Sequence, residues 1–304
     1  MSTALRIGTR GSALALAQSN SMASALTAKT GVQTEIVPIS TVGDVSTESL
    51  ASLGGTGVFA SALREALKDG RCDVVVHSLK DLPTAPEPGL VIAAVPKRVD
   101  ARDALCARDE LTLDTLPQGA RVGTGSPRRV AQLLARRPDL SVIDIRGNVD
   151  TRLRKVTDGE LDAVVLAAAG LTRLGRLEAI TEFLGLDGWP TAPGQGALAL
   201  EVRAGDETLV KALEHATSRI IVDAERQVLA LLEAGCSAPV GAHGVVDDGM
   251  LFLSARVYSA DGAERLTSSH ALFVSDTKHP AGDVAARVAE ELFDLGAAAL
   301  MGAS

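Results

Sequence analysis

The sequence predicts an α/β protein, with two α/β domains followed by a small α+β domain, and three observations predict it. Continuous β-branched runs such as Val74-Val75-Val76 alternate with stretches whose apolar residues recur at helical spacing, the signature of strands and helices laid in turn. The alternation restarts after Pro96-Lys97-Arg98-Val99. Past residue 219 the texture changes to one long helical run followed by two hairpin signals. A chain of 304 residues, 46% hydrophobic, is too long for one core and supplies enough apolar material for two or three.

Each element has its own signal. Leu5-Arg6-Ile7-Gly8 reads as a short buried strand, and residues 12–26 as a helix with Ala, Leu and Met on its inner face. Glu35-Ile36-Val37-Pro38-Ile39 is the next strand. A helix over 58–68 precedes Asp73-Val74-Val75-Val76-His77, a run of the kind found in parallel strands buried on both faces. In the second domain, Ala120-Arg121-Val122-Gly123 is a strand, 127–135 a helix, Ser141-Val142-Ile143-Asp144-Ile145 a strand, 148–157 a helix and 161–166 a strand. This order argues for parallel sheets. The Gly188-Trp189-Pro190 and Pro193-Gly194-Gln195-Gly196 segments punctuate the exit from that domain. A helix over 222–233 leads to the loop holding Cys236, hairpin turns fall at Asp247-Asp248-Gly249 and Asp261-Gly262, and a helix over 280–295 closes the chain.

Composition excludes several classes. The formal net charge is −8 and aromatic residues make up 2%, so there is neither a global basic field nor a set of stacking platforms for nucleic acid. Cys72, Cys106 and Cys236 are odd in number and widely separated, which argues for a reducing cytosol rather than a disulfide framework. None of them has the close spacing of a zinc site, and no metal is expected. The apolar stretch at residues 13–17 is too short for a signal peptide core, and no run reaches the length of a membrane span. A soluble, cytoplasmic protein is expected.

In open α/β sheets ligands sit beyond the carboxyl ends of the strands. Here those positions are polar: Thr9-Arg10-Gly11-Ser12, His77-Ser78-Leu79-Lys80-Asp81-Leu82-Pro83, Thr124-Gly125-Ser126-Pro127-Arg128-Arg129 and Arg146-Gly147-Asn148. A Gly-Thr-Gly-Ser turn entering a helix offers backbone N–H groups and hydroxyls to an anion, and the adjacent arginines supply forked donors matched to carboxylates. The turn lacks the Gly-Lys-Ser/Thr ending of a P-loop, and an ordinary strand-to-helix turn would read the same way. Asp81 is a general acid, a general base or a carboxylate facing developing positive charge; a plain Asp-Leu-Pro surface turn is the alternative. His77, at the end of an apolar strand, reads as a buried, hydrogen-bonded histidine. Cys236 lies among small residues in Glu233-Ala234-Gly235-Cys236-Ser237-Ala238-Pro239, where bulky material can approach sulfur, although free cysteines are more often buried and inert. Several arginines, one carboxylate and one thiol together imply a substrate with multiple carboxylates.

These segments carry a resemblance over nearly the whole chain. Leu5 to Ser12, His77 to Pro83, Val122 to Ser126, Arg128-Arg129, Arg146-Gly147-Asn148-Val149, Ala169-Gly170-Leu171 and Gly194-Gln195-Gly196 resemble, in order, the porphobilinogen deaminase (hydroxymethylbilane synthase) family. The resemblance implies two domains like those of periplasmic solute-binding proteins with a cleft between them, and a third presenting the cysteine loop. The implied segmentation is 1–96 with 197–216, then 100–193, then 219–304. Hinges are expected at 96–100 and 193–196.

The resemblance further implies a transferase of heme and tetrapyrrole biosynthesis. It joins four porphobilinogen molecules head to tail on a covalent dipyrromethane primer, releases ammonia at each addition, and hydrolyses off hydroxymethylbilane. Cys236 would hold the dipyrromethane through a thioether and Asp81 would be catalytic. Ser78, Lys80, Asp81, Thr124, Ser126, Arg128, Arg129, Arg146 and Gly147 would bind the cofactor, and Arg10, Ser12, Arg146, Arg152, Arg173 and Gln195 the substrate. A monomer with no nucleic-acid or membrane partner is implied.

The chain departs from the family in the loop 53–61, where Thr56 and Ser61 stand in place of frequent lysines. The expectation is a mobile lid with less cationic character, in which Phe59 covers the pyrroles. Two rival readings are a passive cleft-type receptor for a carboxylate-rich ligand, and a cysteine-nucleophile hydrolase or acyltransferase activated by His77, His215 or His243. Against the first stands the idleness of Asp81 and Cys236; against the second, the lack of a recognisable nucleophile motif.

Overall fold

The computed structural model describes residues 4–39, 57–234 and 238–301. Cys236 and residues 53–56 of the expected lid lie outside them.

The chain forms, in order, β1 (Leu5–Thr9), α1 (Ala13–Thr30), β2 (Thr34–Pro38), α2 (Gly57–Lys68), β3 (Val74–Ser78), β4 (Leu90–Ala94), β5 (Asp103–Ala107), β6 (Arg121–Gly123), α3 (Pro127–Arg136), β7 (Ser141–Ile143), α4 (Val149–Thr157), β8 (Ala163–Ala167), α5 (Ala168–Arg173), β9 (Glu182–Leu184), β10 (Leu198–Arg203), α6 (Ala216–Leu231), β11 (Val240–Asp247), β12 (Met250–Tyr258), β13 (Arg265–Phe273), α7 (Pro280–Asp294) and α8 (Ala297–Leu300). It divides into two compact units, residues 1–99 with 197–219, and 100–196 with 220–304.

The first unit is a five-stranded sheet in the order β2-β1-β3-β10-β4. β1 runs parallel to β2 and β3, while β10 enters antiparallel between β3 and β4. Period-2 alternation explains the apolar run at 74–76. Val74 and Val76 face a core completed by Ala23 and Leu26 of α1, and Val75 faces the opposite core with Leu63 and Leu67 of α2. A strand covered on both faces has no polar side to show. α1 starts where Ser12 accepts from the Ala15 N–H at 3.4 Å and stops at Gly31, whose φ of 74° closes the last turn through an N–H donated to the Thr27 carbonyl, a left-handed cap that suits glycine.

The second unit holds two sheets. One has the order β7-β6-β8-β5-β9, with β6 parallel to β7 and β8 and with β5 antiparallel to β8 and β9. It is again covered twice: Val122 and Val165 pack with Leu133 of α3, and Val164 and Leu166 with Leu171 of α5. The other is the antiparallel meander β11-β12-β13. Leu251, Leu253, Ala255 and Val257 turn inward onto Val228 of α6 and onto Val284, Val288 and Leu292 of α7, while Phe252 on the opposite face remains 45% exposed.

Close backbone approaches join these two sheets. The Ala242 N–H donates to the Thr191 carbonyl at 2.9 Å, and buried Glu225 accepts from Gly194 N–H at 2.7 Å and Gly244 N–H at 2.8 Å. At the tip of the β12–β13 hairpin, Gly262 has φ 74° and a Cβ there would lie 2.3 Å from the Ala131 carbonyl oxygen of α3.

The α/β class and its two-domain-plus-sheet composition hold, but both five-stranded sheets are mixed rather than parallel. β10 and β5 run against their neighbours because each follows a connection whose direction no local pattern encodes. The strand expected over 141–145 ends at Ile143, since Asp144 onward forms the loop into α4.

Candidate functional site

In the first unit, β1 and β3 are adjacent and parallel, so the segments that follow them emerge at one edge of the sheet. Arg10 and Ser12 follow β1. Ser12 is committed to capping α1. Ser78 ends β3 and accepts from the Gln18 amide of α1 at 3.0 Å, which ties the two segments together. Leu79–Asp81 forms a single 3-10 turn, anchored by the Leu79 N–H on the Ala197 carbonyl at 3.1 Å. Leu79 and Leu82 are buried on either side, Lys80 is half-buried, and Asp81 is exposed. Buried apolar flanks thus hold a solvent-facing carboxylate in place.

His77 is buried, as expected, with Nε2 3.1 Å from Glu201 Oε2. Arg64 Nε and Nη2 donate to the same carboxylate. Burial opposes ionisation of Glu201, yet His77 and Arg64 outweigh it and hold the carboxyl below its ordinary range. This knot crosses α2, β3 and β10, and neither Arg64 nor Glu201 stood out in the sequence.

In the second unit, parallel β6, β7 and β8 bring three predicted segments to one edge. The Thr124 N–H donates to the Ile143 carbonyl at 3.0 Å, and its buried hydroxyl accepts from Ser126 N–H at 3.3 Å. Ser126 precedes α3 without a side-chain capping bond. Gly125 is required here, because a Cβ would stand 2.7 Å from the Ile145 carbonyl oxygen. Gly147 turns with φ 106°, Asn148 caps α4, and Arg152 Nε donates to the Gly147 carbonyl at 2.9 Å.

Charge at this edge is unbalanced. Arg146 is exposed and has Asp144 at 3.6 Å. Burial, then Arg129, then Arg146 push the Arg152 guanidinium below its ordinary pKa, with Asp144 opposing them in part. Arg173 Nη2 donates to the Gly196 carbonyl at 2.8 Å, and burial lowers its pKa to about 10.

Arg128, Arg129 and Gln195 meet at a residue that the sequence reading missed. Asp103 is fully buried and accepts from Arg128 Nη2 at 2.9 Å, Arg129 Nη2 at 2.6 Å, Trp189 Nε1 at 2.9 Å and Gln195 Nε2 at 2.7 Å. Burial works against its charge, but Arg129 and Arg128 hold the carboxyl far below the usual range. An aspartate opening the apolar run Asp103-Ala104-Leu105-Cys106 was the available signal.

Cys72 and Cys106 are buried. Burial raises both thiols, Cys106 to about 12, and leaves them poor nucleophiles. Among the described residues no cluster of His, Cys, Asp and Glu could hold a metal ion, and no helix is long and apolar enough to cross a membrane.

Residues 5–211 match the family model of the porphobilinogen deaminase dipyromethane cofactor binding domain, and residues 220–294 that of the porphobilinogen deaminase C-terminal domain. The chain belongs to the porphobilinogen deaminase family. Its relatives include the porphobilinogen deaminase of Leifsonia xyli subsp. xyli, 60% identical with 98% of this chain and 94% of that protein covered. That of Thermobifida fusca is 51% identical over 97% and 95%, and porphobilinogen deaminase 1 of Streptomyces coelicolor 50% over 98% of each. Among solved structures, the chain is similar to the periplasmic substrate-binding protein of an ABC transporter from Coxiella burnetii, at 16% identity and a TM-score of 0.44, covering 69% of this chain and 91% of that one.

Members of the porphobilinogen deaminase family are transferases of tetrapyrrole biosynthesis, and the matched domain binds dipyrromethane, a group bearing several carboxylates. The second unit fits such a polyanion. Arg128 Nε and Arg129 Nε are buried without a hydrogen-bond partner among the described residues. Asp103 balances only one of these two guanidinium charges, and Arg152 and Arg146 add further positive charge beside them.

Proposed function

We propose that this porphobilinogen deaminase family member binds the acetate and propionate groups of its cofactor and substrate through the cationic edge of the β6–β7–β8 sheet, and acts on porphobilinogen through Asp81. The observation that carries the reading is the crowding of Arg129, Arg146 and Arg152, in which Arg129 and Arg146 disfavour the charge of half-buried Arg152 and Asp144 offsets them only in part. Carboxylates brought among them relieve that repulsion through charge-assisted hydrogen bonds. Thr124, Ser126 and Arg173 add donors in the same unit and the Gly147 turn lets the backbone approach, while Arg10, Ser12, Ser78 and Lys80 are proposed as the donors of the first unit. Gln195 contributes through Asp103.

When bound, the dipyrromethane would supply the free pyrrole α-carbon to which the first unit joins, each later unit joining the α-carbon of the unit before it. Asp81 accepts the pyrrole N–H of porphobilinogen, and its negative charge stabilises the cation that forms as the aminomethyl C–N bond breaks and ammonia leaves. Its exposure and its stiff 3-10 turn suit that task, since no reorganisation is needed when charge develops. Cys236 is read as the thioether anchor, and the chain as a cytoplasmic monomer in three domains, 1–96 with 197–216, 100–193 and 219–304. Three separate sheets support that segmentation.

Intact mass under denaturing conditions tests the reading, because a thioether survives unfolding. The purified protein is expected to carry the added mass of two linked pyrrole units, and Cys236→Ala to carry none and to have no activity. A wild-type mass equal to the bare chain, unchanged after incubation with porphobilinogen, overturns it.

A further inference from the structure

Asp103 is the first residue of β5, is 0% exposed, and receives four donors. A buried carboxylate needs one guanidinium to balance it. Here there are two, from adjacent residues on α3, and burying the second cation is costly without another anion nearby. Arg128 is further fixed by Nη1 donating to the Gln132 side chain and the Pro190 carbonyl, and Arg129 by Nη1 on the Val165 carbonyl. Trp189, 1% exposed, and Gln195 contribute neutral donors, so they orient the carboxylate without cancelling its charge. Such an arrangement specifies direction as well as stability: each Oδ faces one arginine, Oδ2 with Arg128 and Oδ1 with Arg129.

We infer that Asp103 is a positioning residue, which holds Arg128 and Arg129 in the one orientation that lets their surplus charge serve the carboxylates of the cofactor and substrate. This rests on the proposed role of the arginine set. A charge-only role and a positioning role predict opposite outcomes for Asp103→Asn. Removing the negative charge makes the site more cationic, which by field alone tightens anion binding. However, the Asn amide group presents N–H donors where the aspartate accepts from an arginine, so it turns that arginine away.

The experiment measures the fraction of purified chains carrying the added mass of two pyrrole units, and KM and kcat for porphobilinogen, in wild type, Asp103→Asn, Trp189→Phe and Arg129→Leu. For Asp103→Asn, positioning predicts loading reduced to under about a third and KM raised about tenfold in the loaded fraction, the scale of one lost charge-assisted contact. Unchanged or lowered KM with full loading, accompanied only by a lower melting temperature, overturns it. Trp189→Phe removes one neutral bond and covers the case in which Asp103→Asn does not fold. A KM raised about two- to threefold at constant kcat is expected, and an unchanged KM overturns the inference. If Arg129→Leu loads and binds normally, the arginine assignment itself fails; if Arg129→Leu is impaired while Asp103→Asn is not, the positioning role alone fails.

Discussion

At Asp81 an exposed carboxylate is presented by buried neighbours. Leu79 and Leu82 are each 1% exposed, and they pin a turn of three residues so that the charged side chain faces solvent. Asp81→Ala leaves those anchors intact. It is expected to fold with a wild-type melting temperature and to lose about 10²–10³-fold in kcat, the scale of one preorganised electrostatic contact; near-normal turnover would remove Asp81 from the chemistry. Asp103 is the opposite case, a charge that never meets solvent. Its carboxyl, held far below the usual range by Arg129 and Arg128, contributes stability that is fully present above the unfolded-state value of about 3.9 and is lost as pH falls below it. Glu201, depressed by His77 and Arg64, adds to the same window. Denaturation followed by circular dichroism is expected to begin below about pH 4, and Asp103→Asn to flatten that acid limb. An unaltered limb in the variant would show that Asp103 does not set it.

At the scale of elements, the strand-to-helix turns of the second unit are packed against one another rather than standing free. Gly125 has the Ile145 backbone where its Cβ would be, so Gly125→Ala forces the β6 and β7 turns apart. A loss of about 1–3 kcal/mol is expected, the usual cost of overpacking, with a raised KM because Thr124, Ser126 and Arg146 shift together. At Gly262 the same substitution meets α3 with a Cβ 2.3 Å from a carbonyl oxygen, in a left-handed backbone that costs a β-carbon about 1–2 kcal/mol, so Gly262→Ala is expected to destabilise by at least that much. Chemical denaturation at constant m-value measures both. A neutral Gly262→Ala would mean that the hairpin tip moves away from α3 freely.

For the whole molecule, cationic surplus without its anion is a cost carried by the folded state. The lowered Arg173, Arg152 and Arg128 guanidinium pKa values each begin with burial, an effect that the carboxylates of the proposed cofactor and substrate would oppose. The Cys236→Ala protein is therefore expected to melt several degrees below the loaded wild type, since the tethered carboxylates, though attached in both states, meet the arginines only in the native state. Added salt is expected to narrow the gap by screening the partly exposed arginines. Equal melting temperatures at low salt would argue that the cofactor and the arginine cluster are uncoupled.

The α/β class, the doubly covered strands, the helix that starts near Ser12 and the segments around Asp81, Thr124 and Arg146 were legible in the sequence, because period-2 and helical spacing, turn glycines and motif order are local properties of the chain. The order along the chain also announced the family. Strand direction was not legible: β10 lies between β3 and β4 although more than a hundred residues separate it from either in sequence, and only the tertiary structure decides such a pairing. The same holds for the partners of the arginines. Arg128, Arg129 and Gln195 read as ligand donors from their motifs, yet what they touch is Asp103, a residue 25 positions or more away along the chain. Charge type is written in the sequence, but which charges meet, and how dry their surroundings are, is set by burial, and burial belongs to the folded molecule.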